Sequence, residues 1–151
     1  MNKIMNIYDK GTGVALVSKK NEVLLGLRSD GQGWGLAGGK IENNEMPFEA
    51  AMRECAEEFG YVVENPDNMK FVGRFFAPAI IKGEKQMVRS YIFMYKIPTM
   101  DIKLGERTTE MTELKWFSRE EIMSEANLFP PTLVALNQVL KMLDSTIEGD
   151  N

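Results

Sequence analysis

An α/β fold, with helices layered on a mixed β-sheet, is predicted by the order of apolar patterns along these 151 residues. Strand-like runs stand before and after a central amphipathic segment with helical spacing. A second, longer helical pattern closes the chain.

Residues 13–17 and 22–27 are apolar runs joined by Ser18, Lys19, Lys20 and Asn21, a predicted hairpin. Residues 29–35 read as a flexible glycine-rich loop. That loop lacks the Lys-Ser/Thr ending of a phosphate-binding P-loop, which argues against triphosphatase chemistry of that kind. In the central segment Phe48, Met52, Cys55 and Phe59 are spaced 4, 3 and 4 apart and form one apolar stripe on a helix. Pro47 suits the first helical turn, where its missing N–H costs nothing, and Gly60 suits the position just past the end. Glu54, Glu57 and Glu58 are then expected on the side away from the stripe, with Arg53 four residues before Glu57.

Residues 69–81 and 87–97 read as long strands around a turn of Lys82, Gly83, Glu84 and Lys85, and residues 114–117 as another strand. Ser118 with Glu121 three residues later forms a capping box that opens a short helix. Pro130 and Pro131 start a final helix carrying Leu133, Leu136, Leu140 and Leu143 on one face. The polar tail, residues 144–151, is expected to fray. One domain is expected over residues 1–151, with a core of about 10–143.

Hydrophobic content of 44% and charged content of 26% are ordinary for a soluble globular protein. A net charge of −4 argues against binding a nucleic-acid duplex through its backbone, while leaving room for a local cationic pocket that takes a small anion. The single Cys55 forms no internal disulfide and sits on the apolar stripe as a small hydrophobe. No run approaches the roughly 18 apolar residues of a membrane span and no signal peptide begins the chain, so a cytoplasmic location is expected. There is no histidine. Ser-His-Asp and Cys-His catalysis and His-ligated zinc are therefore excluded, and any general base is a carboxylate, lysine, tyrosine or metal-bound hydroxide.

The most informative stretch is residues 39–61. Gly39, Glu45, Arg53, Glu54, Glu57, Glu58 and Gly60 stand at fixed offsets inside it, three of the glutamates within five positions. Three carboxylates so close repel one another, by a few tenths of a kcal/mol per i,i+4 pair in water and more when desolvated. A bound divalent cation removes that cost and at the same time holds phosphates. A solvated acidic helix face is the usual meaning of a charge run. The full spacing weighs against it, because seven residues at set offsets, each at a frequency of roughly 6–7%, recur by chance in about one such chain in a million.

This segment resembles the signature of the Nudix hydrolases, G-x5-E-x7-R-E-U-x-E-E-x-G-U with U a bulky aliphatic residue. All seven fixed letters match, and Cys55 and Tyr61 occupy the two U positions. Residues 34–42 are similar to the family's approach to the signature, with Ala37 where many members carry proline, and residues 113–117 to its last strand. The resemblance implies a Nudix-type α/β/α sandwich on a mixed sheet. It implies an enzyme that hydrolyses the diphosphate of a nucleoside diphosphate linked to another group, using Mg2+ or Mn2+. By position, Glu54 and Glu58 are the expected metal ligands, with Glu57 a third ligand or base and the Gly38 or Gly39 carbonyl completing the site. Glu45 and Arg53 are expected to be structural, an ion pair pinning the preceding loop to the helix.

In some members the general base is a glutamate before the last strand. Glu106, Glu110 and Glu113 occupy that neighbourhood, and Glu110 is the choice. Arg28, Arg74 and Arg89 are candidate phosphate contacts. Among Phe75, Phe76, Tyr91 and Phe93, most are expected in the sheet core, with room for one that stacks on a base. Among the substrates the resemblance implies, the reading leans towards adenine-containing ones such as ADP-ribose, FAD or dinucleoside polyphosphates, although no subgroup marker matches outright. Pro78 lies 17 residues past Tyr61, close to but not matching the proline that ADP-ribose hydrolases often carry some 15 residues past the signature, and Phe75, Phe76 and Ala77 include no tyrosine of the dinucleoside-tetraphosphate hydrolases. A (d)NTP pyrophosphatase is the alternative within the class, and a non-catalytic nucleotide-binding module the alternative outside it, which the retained glutamates disfavour. The family also makes a homodimer an open expectation.

Overall fold

The computed structural model describes residues 7–98, 110–125 and 127–149. Its frame is a mixed sheet of seven strands among those residues: β1 (Ile7–Val17), β2 (Val23–Arg28), β3 (Trp34–Gly35), β4 (Ala37–Lys40), β5 (Lys70–Ile81), β6 (Glu84–Lys96) and β7 (Met111–Phe117). The helices are α1 (Pro47–Phe59), α2 (Arg119–Ser124) and α3 (Pro130–Gly149), with a short 3-10 turn at Pro66–Asn68. The predicted α/β sandwich is what forms.

β1 and β2 make the expected hairpin. The Ser18 hydroxyl accepts the Lys20 and Glu22 N–H groups at 3.2 and 3.1 Å, and Asn21 takes the left-handed conformation at φ 60°. The two strands pair at Val17–Val23 only. They then part, and β4 enters beside β1 along Gly11–Lys40 to Val14–Ala37, while β2 goes on to pair with β3 and β7. The other edge of β1 runs parallel to β6 over most of its length. That wedge of β4 between parted strands carries Gly38 and Gly39, the second of which opens the signature.

Two apolar clusters fill the layers. On one face Val14, Leu16, Leu24 and Tyr95 pack against Ala51, Cys55 and Phe59 of α1. On the other Ala15, Val17, Val23, Leu25 and Ile92 pack against Ala135, Leu136, Val139, Leu140 and Leu143 of α3. Phe59 is fully buried, which contributes about 2–3 kcal/mol relative to leaving its ring in water.

Several expectations shift. Trp34–Gly35 at the end of the glycine-rich loop is a two-residue strand. The β5–β6 turn has two residues rather than four, Lys82 and Gly83, since Ile81 already pairs with Glu84. Both turn residues have positive φ, the twist that continues a right-handed ribbon. β7 begins three residues earlier than the apolar run suggested. Leu133 is 47% exposed because Thr132, Ala135 and Val139 shift the buried stripe of α3 to one side of it. The backbone of α3 continues through Gly149 where a frayed tail was expected. Ser118 and Glu121 form the predicted capping box, the hydroxyl accepting Glu121 N–H at 3.2 Å and the carboxylate accepting Ser118 N–H at 3.0 Å.

Candidate active site

α1 is built as its sequence dictates. Pro47 opens it, the Glu49 carboxylate reaches back to the Met46 N–H at 2.9 Å, and Gly60 ends it at φ 68°. The buried face is not the predicted stripe alone. Ala50, Ala51, Cys55, Glu58 and Phe59 are buried, while Phe48 and Met52 are only partly covered. Small side chains at 50 and 51 let the helix lie close against the glycine strand β4. This rotates Glu58 inward instead of away from the core, a correction to the helical-wheel reading.

Glu58 is 4% exposed, and its Oε1 accepts the Gly38 N–H at 2.6 Å. Burial pushes its carboxyl up to about 9, helped by a hydrogen bond with Glu110 and by the charges of Glu54 and Glu110, while the Gly38 bond opposes the rise. Burial also raises Glu54, though Arg53 pulls it down. Glu54 stands one turn before Glu58, its side chain 13% exposed. The glycines of β4 make room for these carboxylates. A Cβ on Gly39 would lie 2.5 Å from Glu54 Oε1, and one on Gly38 would collide with the Thr12 carbonyl oxygen.

Arg53 is the hub. Its Nε and Nη2 hold Glu45 at 2.8 and 3.1 Å, Nη2 also donates to the Lys40 carbonyl at 2.9 Å, and Nη1 meets Glu54 at 3.0 Å and Glu57 at 3.3 Å. The expected Glu45–Arg53 pin is present. It holds the Glu45 carboxyl below its ordinary range, while the Arg53 guanidinium is raised above its own. Glu57 is 57% exposed on the outer side of this hub.

A cleft of about 470 Å³ opens where β4, the C-terminal half of α1 and the start of α3 meet. Glu54, Glu58 and Glu110 line it with Gly38 and Gly39, and the lining does not include Glu57. Glu110 is placed by its own backbone, whose carbonyl accepts the Ser29 N–H at 2.9 Å. Glu113 is exposed on β7, outside the lining, and Glu106 lies outside the described residues.

Of the three candidate arginines only Arg28 reaches the cleft. It is paired with Asp30 at 2.6 Å, and its guanidinium stacks 4.0 Å over the Phe129 ring. That pairing pulls Asp30 down to about 2. Arg74 stacks on Tyr91, while Arg89 pairs with Asp9 at 2.9 Å and covers Phe76, both away from the cleft. Phe75 and Phe93 pack against the core clusters. The ring that lines the cleft is Phe129, which pattern reading passed over; its one signal is its place just before Pro130 and Pro131. Leu36 N–H to Thr132 Oγ1 at 3.0 Å, with a Trp34–Leu128 bridge, fixes this wall to β3.

The donor set suits a hard divalent cation, being carboxylate and carbonyl oxygens on a rigid strand and helix. Among the described residues no three acidic or thiol side chains converge tightly enough to cage an ion by themselves. No described helix is long and apolar enough to cross a membrane.

The model of the NUDIX domain matches residues 8–136. An RNA pyrophosphohydrolase of Rickettsia bellii is 29% identical over 129 residues, covering 78% of this chain and 79% of its own. Among solved structures, a C. elegans Ap4A hydrolase binary complex superposes with a TM-score of 0.66 at 19% identity, covering 91% of this chain and 98% of that one. The NUDIX domain of Shewanella oneidensis NrtR, complexed with ADP ribose, gives 0.67 at 17% identity, covering 94% and 90%.

Proposed function

The chain belongs to the Nudix family and is a pyrophosphatase acting on nucleoside diphosphate derivatives, and from that premise we propose how its residues divide the work. The observation that carries the reading is the burial of Glu58 beside Glu54 at the floor of the cleft, held by the Gly38 N–H. An acidic pair kept out of water without a full set of cationic partners is costly in its ionised form unless a metal completes it.

Glu54 and Glu58 are the residues that hold Mg2+ or Mn2+, with the Gly38 or Gly39 carbonyl as a further ligand. Glu57, on the outer side of Arg53 and outside the cleft lining, is kept as a third ligand that must turn inward to reach the cation. The cation supplies charge neutralisation on the diphosphate and lowers the pKa of a bound water. Glu45 and Arg53 fix the loop–helix angle and so the aim of Glu54. Arg28 exchanges its partner Asp30 for a phosphate of the substrate, a bidentate contact suited to guanidinium. Phe129 walls the cleft beside it.

Glu110 accepts the proton of the attacking water. Replacing it with glutamine is expected to lower kcat by about 10²–10⁴-fold with little change in KM, the range general bases contribute. Steady-state kinetics at saturating Mg2+ check this, and a wild-type kcat removes Glu110 from the mechanism.

For substrate, we favour an adenine-containing diphosphate: ADP-ribose, FAD or a dinucleoside polyphosphate. Support comes from fold neighbours crystallised as an Ap4A hydrolase and as an ADP ribose complex. A second reading is the 5′-triphosphate end of RNA, supported by the curated relatives named RNA pyrophosphohydrolases. The (d)NTPs are the third class to test. Incubation with each compound, with Mg2+, Mn2+ or EDTA, and chromatography of the products separates the three. AMP released from one adenine compound only when metal is present supports the first reading. Pyrophosphate released from triphosphorylated RNA alone, or (d)NMP from (d)NTPs alone, replaces it.

A further inference from the structure

Three non-glycine residues among those described adopt positive φ: Asn21 at 60°, Asn44 at 68° and Lys82 at 50°. Asparagine is among the residues that tolerate this conformation best. Lysine is not, and a two-residue hairpin turn with positive φ at both positions ordinarily selects Asn-Gly or Asp-Gly. The chain keeps Lys82-Gly83 there, at a local conformational cost. The tip is also held in place from across the cleft. The Gln32 side chain donates to the Ile80 carbonyl at 2.9 Å and accepts the Ile80 N–H at 3.0 Å, and its amide reaches Asp30 at 2.8 Å. Ile81 and Lys82 therefore stand as one wall of the same cleft that has Glu54 and Glu58 on its floor.

Electrostatics give the strained lysine a purpose. Arg53 is committed to the glutamates, and Arg28, paired with Asp30, is already assigned to a substrate phosphate. Lys82 makes no ion pair among the described residues. The floor carries the groups assigned to the diphosphate being cut. A compact, rotatable ammonium on the opposite wall is suited to a phosphate further along the chain. We propose that Lys82 is a specificity-determining contact for a phosphate beyond the scissile diphosphate, favouring substrates with three or more linked phosphates over two-phosphate compounds such as ADP-ribose. This rests on the cleft being the hydrolase site.

The test uses Lys82→Asn, which removes the ammonium while giving the turn a residue that accepts its backbone, and Lys82→Gly as a second variant. Melting temperature is expected to stay level or rise in both, so lost affinity is not lost folding. KM for diadenosine tetraphosphate, and the Kd of a methylene-bridged analogue that cannot be cleaved, are expected to rise about tenfold, one charge-assisted contact's worth. Constants for ADP-ribose are expected to change less than about twofold. Equal effects on both compounds, or none on either, overturn the proposal, as does a wild-type enzyme that turns over ADP-ribose alone. If wild type cleaves nothing yet binds the analogue through Lys82, the contact stands and the hydrolase reading falls; if it neither cleaves nor binds, both fall.

Discussion

Glu58→Gln is expected to abolish metal-dependent turnover while leaving the fold intact or more stable. The amide keeps an oxygen for the Gly38 N–H, so the contact at 2.6 Å has a substitute acceptor. It no longer carries a charge for the cation. Loss of several kcal/mol of metal-borne charge stabilisation corresponds to about a thousandfold in kcat or more. Stability should move the other way. The folded carboxyl titrates near 9, far above an unfolded glutamate, because it is buried next to Glu54 and Glu110. The native state thus holds a proton that the unfolded chain has released, and without divalent metal the wild type loses stability as pH rises from about 4.5 to about 9. Glutamine does not titrate, so the variant lacks this decline. Mg2+ requires the ionised form, so its stabilisation of wild type grows over the same window and is absent in the variant. Melting curves between pH 5 and 9, with and without Mg2+, check all three statements; a variant that still melts higher when Mg2+ is added removes Glu58 from the ligand set.

Gly39→Ala is expected to fold and yet lose about a hundredfold in kcat, the cost of a misplacement near 1 Å at a reacting centre. The added methyl would sit 2.5 Å from Glu54 Oε1. A side-chain end can move aside, so the backbone survives, but Glu54 must leave its place on the cleft floor and its 3.0 Å bond with Arg53. Gly38→Ala makes the contrast. There the clash is with the Thr12 carbonyl on the paired strand β1, which cannot move without breaking the ladder, so expression or melting temperature falls as well. Circular dichroism melts set beside kcat distinguish the two. Equal loss of stability in both variants would mean that Gly39 serves packing rather than the aim of Glu54.

How much of this was legible in the sequence depends on what each signal measures. Offsets along a helix gave the signature and placed Glu45 against Arg53, because both ends of that pair are fixed by one local element and its preceding loop. The inward turn of Glu58 was not legible. A hydrophobic stripe counts large apolar residues, and the burial of this helix is set instead by two alanines facing a strand of glycines. The parallel pairing of β1 with β6 and the entry of β4 beside β1 depend on contacts between residues far apart in the chain, which no periodicity records. Arg74 and Arg89 looked equivalent to Arg28 as isolated cations; only the register Phe76–Arg89 and Arg74–Tyr91 shows them consumed by rings on the ribbon. Phe129 carried only its place before Pro130 and Pro131, since a single residue ahead of a helix start has neither period nor motif.

Cys55 lies fully covered in the middle of α1, and burial, with the charge of Glu58 next, pushes its thiol up to about 12. It is the only sulfhydryl in the chain. A thiol reagent therefore meets nothing in the folded protein until α1 lifts from the sheet, and each lifting also dismantles the carboxylate pair. The chain thus contains its own stopwatch for the departure of the signature helix, a single chemical event per molecule whose rate reports how often the catalytic floor comes apart.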